Sequence, residues 1–158
     1  YEYDDLLDAC QNSPTHLKIP EVAAIIEEEI RKFDQQFYNL VTFTLMPNHM
    51  HLVLDFSLQI RKIIPFDLSL YQNVSFVMNK IKGVSGFKAN KVIGNSGNSF
   101  WGNGYYDRYI RNYHHYLGSV NYTINNVVKA KLFNHWTQHP HTWLNPDYQK
   151  LELTFPNR

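Results

Sequence analysis

The chain has 158 residues and a mass of 18.7 kDa, with 44% hydrophobic residues and a formal net charge of +1. These values predict one globular domain, residues 1–158, with enough apolar side chains to bury a core. The single cysteine, Cys10, excludes an intramolecular disulfide scaffold. Because no apolar run could span a bilayer and the N-terminus has no signal-peptide pattern, we expect a cytoplasmic protein without a membrane partner.

Charge is distributed unevenly along the chain. Residues 1–34 carry a net charge of −6, whereas residues 80–131 carry a net charge of +7. A basic segment of this kind is typical of a protein that binds a polyanion, although solvated surface charges give the same pattern. Its basic side chains are Lys80, Lys82, Lys88, Lys91, Arg108, Arg111, Lys129 and Lys131.

The first half of the chain predicts one helix followed by a hairpin. Residues 20–34 have apolar side chains at helical spacing, with Glu27 to Glu29 mostly on the opposite side. Residues 38–45 read as a strand covered on both faces, and Pro47 predicts a turn. Residues 49–56 then alternate, which predicts a second strand. Its core face would carry Met50, Leu52, Leu54 and Phe56, and its other face His49, His51, Val53 and Asp55.

The second half predicts two more helices and one more strand. Apolar periodicity favours a helix through residues 74–84, and the Gly/Asn/Ser-rich residues 94–104 read as a loop. Residues 105–110 are a plausible strand, and residues 113–132 a third helix. Residues 134–158 are expected to form a surface tail. The buried stripe of the third helix would be Leu117, Val120, Ile124 and Val128.

This order of elements predicts an α+β fold, specifically a ferredoxin-like sandwich with a central antiparallel sheet and helices on one face. That topology requires one more strand before the first helix. Residues 1–19 do not supply a convincing one. We therefore expect the first strand upstream of Tyr1, or else a different topology.

Two histidines on the second predicted strand suggest a metal site. His49 and His51 project to the same face, with about 6 to 7 Å between their α-carbons. That spacing allows two imidazoles to bind one divalent ion. The alternative to a metal site is that both histidines are half-exposed surface residues. Asp55, on the same face, is expected to be a carboxylate of an edge strand.

The third predicted helix carries a polar face that includes a tyrosine. Tyr122 and Asn126 lie four residues apart, accompanied by Ser119 and Lys129. This face is expected to turn away from the apolar stripe. An ordinary exposed aromatic residue is the alternative for Tyr122.

Taken together, three strings resemble the His-hydrophobe-His (HUH) single-tyrosine transposases of the insertion-sequence type. They are MPNHMHLVL at 46–54, WGNGYYDRYIRN at 101–112 and YTINNVVKAKL at 122–132. The second and third are most similar to the branch associated with REP sequences. The family often has proline where this chain has Val127.

The resemblance implies that His49, His51 and Asn126 bind a divalent metal, Mg²⁺ or Mn²⁺, and that Tyr122 is the nucleophile. Such enzymes cut single-stranded DNA near hairpins and rejoin it through a 5′-phosphotyrosine. Both homodimers and monomers occur in the family, so the oligomeric state stays open. The side chains expected to contact DNA are Lys80, Lys82, Lys88, Lys91, Arg108, Arg111, Lys129, Trp101 and Tyr105.

Two other functions stay open at this point. The first is a nucleic-acid-binding protein on the same scaffold that no longer cuts. The second is an unrelated metallohydrolase in which His49 and His51 bind zinc together with histidines of the tail. Tyr105, Tyr106 and Tyr109 are alternative nucleophiles, but they lack a neighbouring asparagine on a helix face.

Overall fold

The computed structural model describes residues 14–62, 65, 67–102 and 104–148. The expected strand upstream of Tyr1 lies outside these residues. Single 3-10 turns occur at His16–Lys18, Leu68–Leu70 and Trp136–Gln138. The longer elements are α1 (Pro20–Lys32), β1 (Asn39–Leu45), β2 (Met50–Asp55), α2 (Ser57–Lys62), α3 (Val74–Val92), α4 (Tyr113–Lys129) and β3 (Thr142–Leu144). The chain is α+β, as predicted.

The strands form an antiparallel sheet in the order β2-β1-β3. The predicted turn between the first two strands is confirmed, because the backbone N–H of Met46 donates to the carbonyl of His49 at 2.8 Å. All residues from Leu40 to Leu45 are buried, which confirms that β1 is covered on both faces.

Part of the C-terminal segment belongs to this sheet. The prediction of a surface tail is wrong for Thr142–Leu144, which pair with Thr42 to Thr44. Leu144 is 2% exposed, and the Trp143 ring stacks on Phe43 with centroids 6.1 Å apart. These apolar contacts favour strand pairing over an exposed tail.

The predicted strand at residues 105–110 is not formed. Its tyrosines suggested a strand, but Tyr106 and Tyr109 are 66% and 85% exposed. Both edges of β1 are already paired with β2 and β3. With its tyrosine side chains largely exposed, this segment has little apolar packing to stabilise a strand, and it reaches α4 without joining the sheet.

The described chain divides into two compact units, each assembled from separate stretches. The first contains residues 14–18, 41–53 and 108–148, and its core lies between the strands and α4. That core consists of Val41, Val53, Val120, Ile124 and Leu144. The predicted stripe of α4 is confirmed at Leu117, Val120 and Ile124, whereas Val127 is buried and Val128 is only partly buried.

The faces of β2 differ from the prediction. Val53 is buried in the core with α4, whereas Met50, Leu52 and Leu54 are only partly buried. The face that carries His49 and His51 is therefore a packing face, covered by α4. The predicted alternation is confirmed, but α4 covers the side that was expected to be open.

In the second unit, which comprises the described residues of 19–40 and 54–107, α1 packs against α3. The predicted apolar side of α1 is confirmed at Val22, Ile26 and Ile30, which are fully buried. The expectation that Glu27 to Glu29 avoid this side is wrong for Glu29, which is 0% exposed. Lys88 of α3 donates to the Glu29 carboxylate at 2.6 Å, so an ion pair compensates the buried charge.

The two long helices of the second half have different bounds from those predicted. α3 continues through Gly83 and Gly86 to Val92, beyond the predicted end at residue 84. α4 ends at Lys129, three residues earlier than predicted, and Asn112 caps its start by accepting from the backbone N–H of His115 at 2.8 Å. None of the helices in the described residues has the length and apolar character that crossing a bilayer requires.

Candidate functional site

The first unit brings two histidines of the hairpin and one asparagine of α4 together. The Nε2 atoms of His49 and His51 are 3.0 Å apart. The Nδ2 atom of Asn126 lies 2.6 Å from Nε2 of His51. His49 is 8% exposed and Asn126 is 1% exposed. Two imidazoles and one amide therefore meet at a largely buried site.

A fourth side chain, that of Asn48, determines which ring nitrogen of His49 carries the proton. Nδ1 of His49 is 2.7 Å from Oδ1 of Asn48. With the Asn48 amide in this orientation its oxygen accepts, so Nδ1–H of His49 is the donor. In the neutral imidazole, Nε2 then carries the lone pair, and this lone pair faces His51. Asn48 lies in the turn between β1 and β2, directly before His49.

The hydrogen bonds among the three groups leave the position incompletely satisfied. If Nε2 of His51 carries a proton, it can donate to Nε2 of His49, but the amide nitrogen of Asn126 then faces a donor. If it carries a lone pair, it can accept from Asn126 but faces the lone pair of His49. Oδ1 of Asn126 is buried and has no hydrogen-bond partner. The oxygen and nitrogen of an amide are interchanged by rotating it, which would turn this oxygen toward the imidazoles.

These residues fit a divalent cation. Two ligands that each lie about 2.1 Å from one ion and meet at a right angle are about 3.0 Å apart, and the two Nε2 atoms have this separation. An amide oxygen and two imidazoles suit Mn²⁺ better than Mg²⁺, which prefers oxygen ligands. His49, His51 and Asn126, the ligands that the resemblance implies, therefore have a chemistry compatible with a divalent cation, and they stay a prediction.

Tyr122 lies one helical turn before Asn126 and reaches the same position. Its ring is perpendicular to the ring of His51, with centroids 5.6 Å apart. Nζ of Lys129 lies 5.6 Å from the centroid of the Tyr122 ring. Residues 122, 126 and 129 are spaced at i, i+4 and i+7, so one face of α4 carries all three.

This face of α4 was expected to turn away from the core. That expectation is wrong for Asn126, which is buried, while Tyr122 is partly buried. The face lies against the histidine side of β2. Tyr122 and Asn126 do share one face of α4, as their spacing predicted. That face is in contact with β2 and does not turn away from the core.

The predicted DNA-contacting residues lie in several environments. In the second unit, Lys88 is paired with Glu29, whereas Lys82 donates to the carbonyls of Gly102 and Gly104 at 3.1 and 2.5 Å. Burial lowers the pKa of Lys82. Nζ of Lys80 lies 5.5 Å from the Phe76 ring centroid, and Nζ of Lys91 lies 4.3 Å from that of Phe87.

The predicted aromatic contacts also have structural partners. Nε1 of Trp101 donates to Oγ of Ser85 at 3.1 Å, and Oη of Tyr105 lies 2.8 Å from Oγ of Ser75. Trp101 is therefore anchored to α3 as well as partly exposed. In the first unit, Arg108 and Arg111 are exposed and line a cavity of about 280 Å³ with Tyr109, Asn112 and His115.

Asp55 caps a helix. It accepts from the backbone N–H and the hydroxyl of Ser57 at 2.8 and 3.0 Å, and from Asn39 at 3.0 Å. Burial raises the pKa of Asp55, but the hydrogen bonds from Asn39 and Ser57 and the charge of Arg61 outweigh it and lower the pKa overall. This role agrees with the expected structural carboxylate.

Zinc held by His49, His51 and histidines of the tail stays a hypothesis. Across the part of the chain that the structure describes, no three His, Cys, Asp or Glu side chains are placed to share one ion. His139 instead lies beside Thr142 and His141, with Nδ1 2.9 Å from Oγ1 of Thr142.

The sequence did not reveal two features: the role of Asn48 beside His49 and an ion pair between two helices. Asn48 stands directly before His49, and an amide next to a histidine is too common to be singled out. The pairing of Glu29 with Lys88 joins residues 59 positions apart, and neither residue has a local signal.

The comparisons with known proteins found no matching family model, no matching curated protein and no matching solved structure.

Proposed function

We propose that this protein cleaves single-stranded DNA near hairpins and transfers the cut strand through a 5′-phosphotyrosine at Tyr122. The observation that carries the proposal is the contact of the Tyr122 ring with His51, within the buried cluster of His49, His51 and Asn126. The resemblance to HUH transposases supports the same assignment of roles. The proposed site therefore depends on side chains of one unit of the chain.

The chemistry begins with the phenol of Tyr122. A phenol has a pKa near 10, so it is a weak nucleophile at neutral pH unless its developing negative charge is stabilised. Lys129 supplies a positive charge 5.6 Å from the Tyr122 ring centroid. When bound by His49, His51 and Asn126, a divalent cation would stabilise negative charge on the non-bridging phosphate oxygens.

In the proposed step, a bond forms between Oη of Tyr122 and phosphorus, and the bond between phosphorus and the 3′-oxygen breaks. The phenolic proton is lost to solvent, and the leaving 3′-oxygen gains one, so the products are a 5′-phosphotyrosine and a free 3′-hydroxyl. Because the phosphotyrosine remains a phosphodiester, a second 3′-hydroxyl reverses the step. Joining therefore needs no external energy source.

We also propose a ferredoxin-like arrangement for the sheet and helices, and a cytoplasmic location. The order α1, β1, β2, α2, α3, α4 supports the first, since a hairpin lies between the long helices α1 and α3. The single cysteine supports the second. The contact of Tyr122 with His51 within one chain supports a tyrosine that acts in its own subunit, whether monomer or homodimer.

A labelled hairpin oligonucleotide with a single-stranded flank tests the proposal. Incubation with Mn²⁺ should yield a protein–DNA adduct that survives denaturing electrophoresis. Tyr122→Phe should abolish the adduct, whereas Tyr113→Phe, at an exposed tyrosine of the same helix, should preserve it. An adduct that persists in Tyr122→Phe would contradict the assignment, and tight binding without any adduct would favour the non-cleaving alternative.

A further inference from the structure

The second unit contains a groove that the proposed chemistry does not use. It has a volume of about 700 Å³ and lies between one face of α3 and the Gly/Asn/Ser-rich loop that follows it. α3 also packs against α1, and Val77 and Ile81 are among its buried residues. The residues that shape the groove include Lys82, Gly83, Gly86, Phe87, Asn98 and Trp101.

Two glycines of α3 leave the floor of the groove open. A Cβ atom at Gly83 would meet no atom within 4 Å, so this position faces empty space. At Gly86, a Cβ atom would lie 3.1 Å from Cδ1 of Trp101, so the missing side chain lets the indole approach the helix. Glycine within a helix lowers helix stability, and here it provides room beside the helix.

The opposite wall of the groove is held in place by hydrogen bonds to α3. Nδ2 of Asn90 donates to the carbonyl of Asn98 at 2.7 Å, and the backbone N–H of Asn95 donates to the carbonyl of Asn90 at 2.8 Å. Trp101 adds its bond to Ser85. The groove is therefore preorganised, which reduces the conformational entropy that ligand binding would cost.

Lys82 is the charged side chain in the lining of the groove, and Lys91 lies beside it against the Phe87 ring. Residues 68–106 contain four lysines and no Asp or Glu. Of these lysines, Lys88 is paired with Glu29, whereas Lys82 and Lys91 form no ion pair with any described residue. A groove with this charge is complementary to a phosphodiester backbone.

Phe87 is an exposed aromatic residue in this positive setting. It is 64% exposed, and Nζ of Lys91 lies 4.3 Å from its ring centroid. Burial does not explain a phenylalanine at such a position. Aromatic rings beside cationic side chains are the surface on which proteins stack unpaired bases.

We propose that this groove binds single-stranded DNA, with one unpaired base stacked on Phe87 and the backbone phosphates near Lys82 and Lys91. The inference rests on the proposed function for its choice of ligand, but it concerns a different part of the chain. A nucleotide-sized occupant fits, because small-molecule sites typically measure about 300 to 1,000 Å³. Double-stranded DNA, whose bases are already stacked, should bind more weakly.

The test measures binding of a fluorescein-labelled oligothymidylate by anisotropy, with EDTA present and on a Tyr122→Phe background so that cleavage does not contribute. Phe87→Ala should weaken binding by about 5- to 150-fold, the range for loss of one stacked base. Phe87→Trp should restore it. Phe87 is largely exposed, so the alanine variant should unfold at nearly the same temperature as its parent.

A second pair of variants separates charge from shape. Gly83→Glu places a carboxylate in the groove and should weaken binding about tenfold at low salt, whereas Gly83→Gln, of equal size, should weaken it less. Ala24→Glu, at an exposed position of α1, controls for total charge and should have little effect. Photocrosslinking of a 5-iodouracil oligonucleotide should map to the groove.

The outcomes distinguish this inference from the proposed function. If the wild-type protein forms no adduct but Phe87→Ala and Gly83→Glu both weaken binding, DNA binding in the groove is supported and the cleavage proposal is wrong. If the adduct forms and these variants bind as tightly as their parent, the groove proposal is wrong. Equal affinity for duplex and single-stranded DNA, or no binding at low salt, would also overturn it.

Discussion

Replacing Asn48 with alanine should weaken Mn²⁺ binding by about tenfold. Asn48 accepts the Nδ1–H of His49 at 2.7 Å and thereby keeps the Nε2 lone pair facing His51. Without that acceptor, a neutral imidazole can carry its proton on Nε2 instead, which removes a ligand. The effect therefore acts through His49 and not through any direct contact with the ion.

The magnitude follows from the hydrogen bond. A net contribution of about 0.5 to 1.5 kcal/mol corresponds to about 2- to 13-fold in affinity. Substitutions of groups that orient metal-binding histidines typically cost about 10- to 100-fold. The two ranges overlap at about tenfold.

Isothermal titration with Mn²⁺ gives the affinity, and nitrogen chemical shifts of the His49 ring in metal-free protein give its tautomer. Asn48→Asp keeps an acceptor and should preserve both the affinity and the Nδ1–H tautomer. Asn125→Ala, at an exposed asparagine of α4, is the control and should leave both unchanged. An unchanged Mn²⁺ affinity in Asn48→Ala would refute the reasoning.

Two further predictions concern stability. Ile124 is fully buried in the core between α4 and the strands, so Ile124→Ala should lower the free energy of unfolding in urea by about 2 to 5 kcal/mol. Leu132→Ala, at a residue that is 42% exposed, should cost much less, and equal losses would contradict the core assignment. Burial, reinforced by His141, lowers the pKa of His139 to about 4 from an ordinary 6.5. As pH falls, His139 takes up a proton in the unfolded chain before it does so in the folded chain. The free energy of unfolding is therefore unaffected by protonation of His139 above about pH 6.5 and decreases as pH falls toward about 4. His139→Gln should therefore show a shallower fall in melting temperature across that interval, and an unchanged slope would exclude His139 as its source.

The parts of the fold with local periodicity were predictable. The apolar spacing of α1 and the two-residue alternation of β2 are encoded within short segments, as are the turn at Pro47 and the stripe of α4. The same alternation placed His49 and His51 on one face. The spacing of Tyr122 and Asn126 on a helix was equally visible.

What depended on packing between distant segments was not predictable. The sequence did not reveal that α4 covers the histidine face of β2, because this contact joins residues 75 positions apart. β3 is only three residues long, too short for a periodic pattern, and its pairing with β1 spans about a hundred residues. Glu29 resembled its exposed neighbours until Lys88 supplied a partner from another helix.

The most direct test of the central claim is the identity of the residue that becomes attached to DNA. After incubation with a hairpin substrate and Mn²⁺, nuclease and protease digestion followed by mass spectrometry should find a nucleotide 5′-phosphate on the Tyr122 peptide. Attachment at any other tyrosine, such as Tyr105 or Tyr109, would contradict the account.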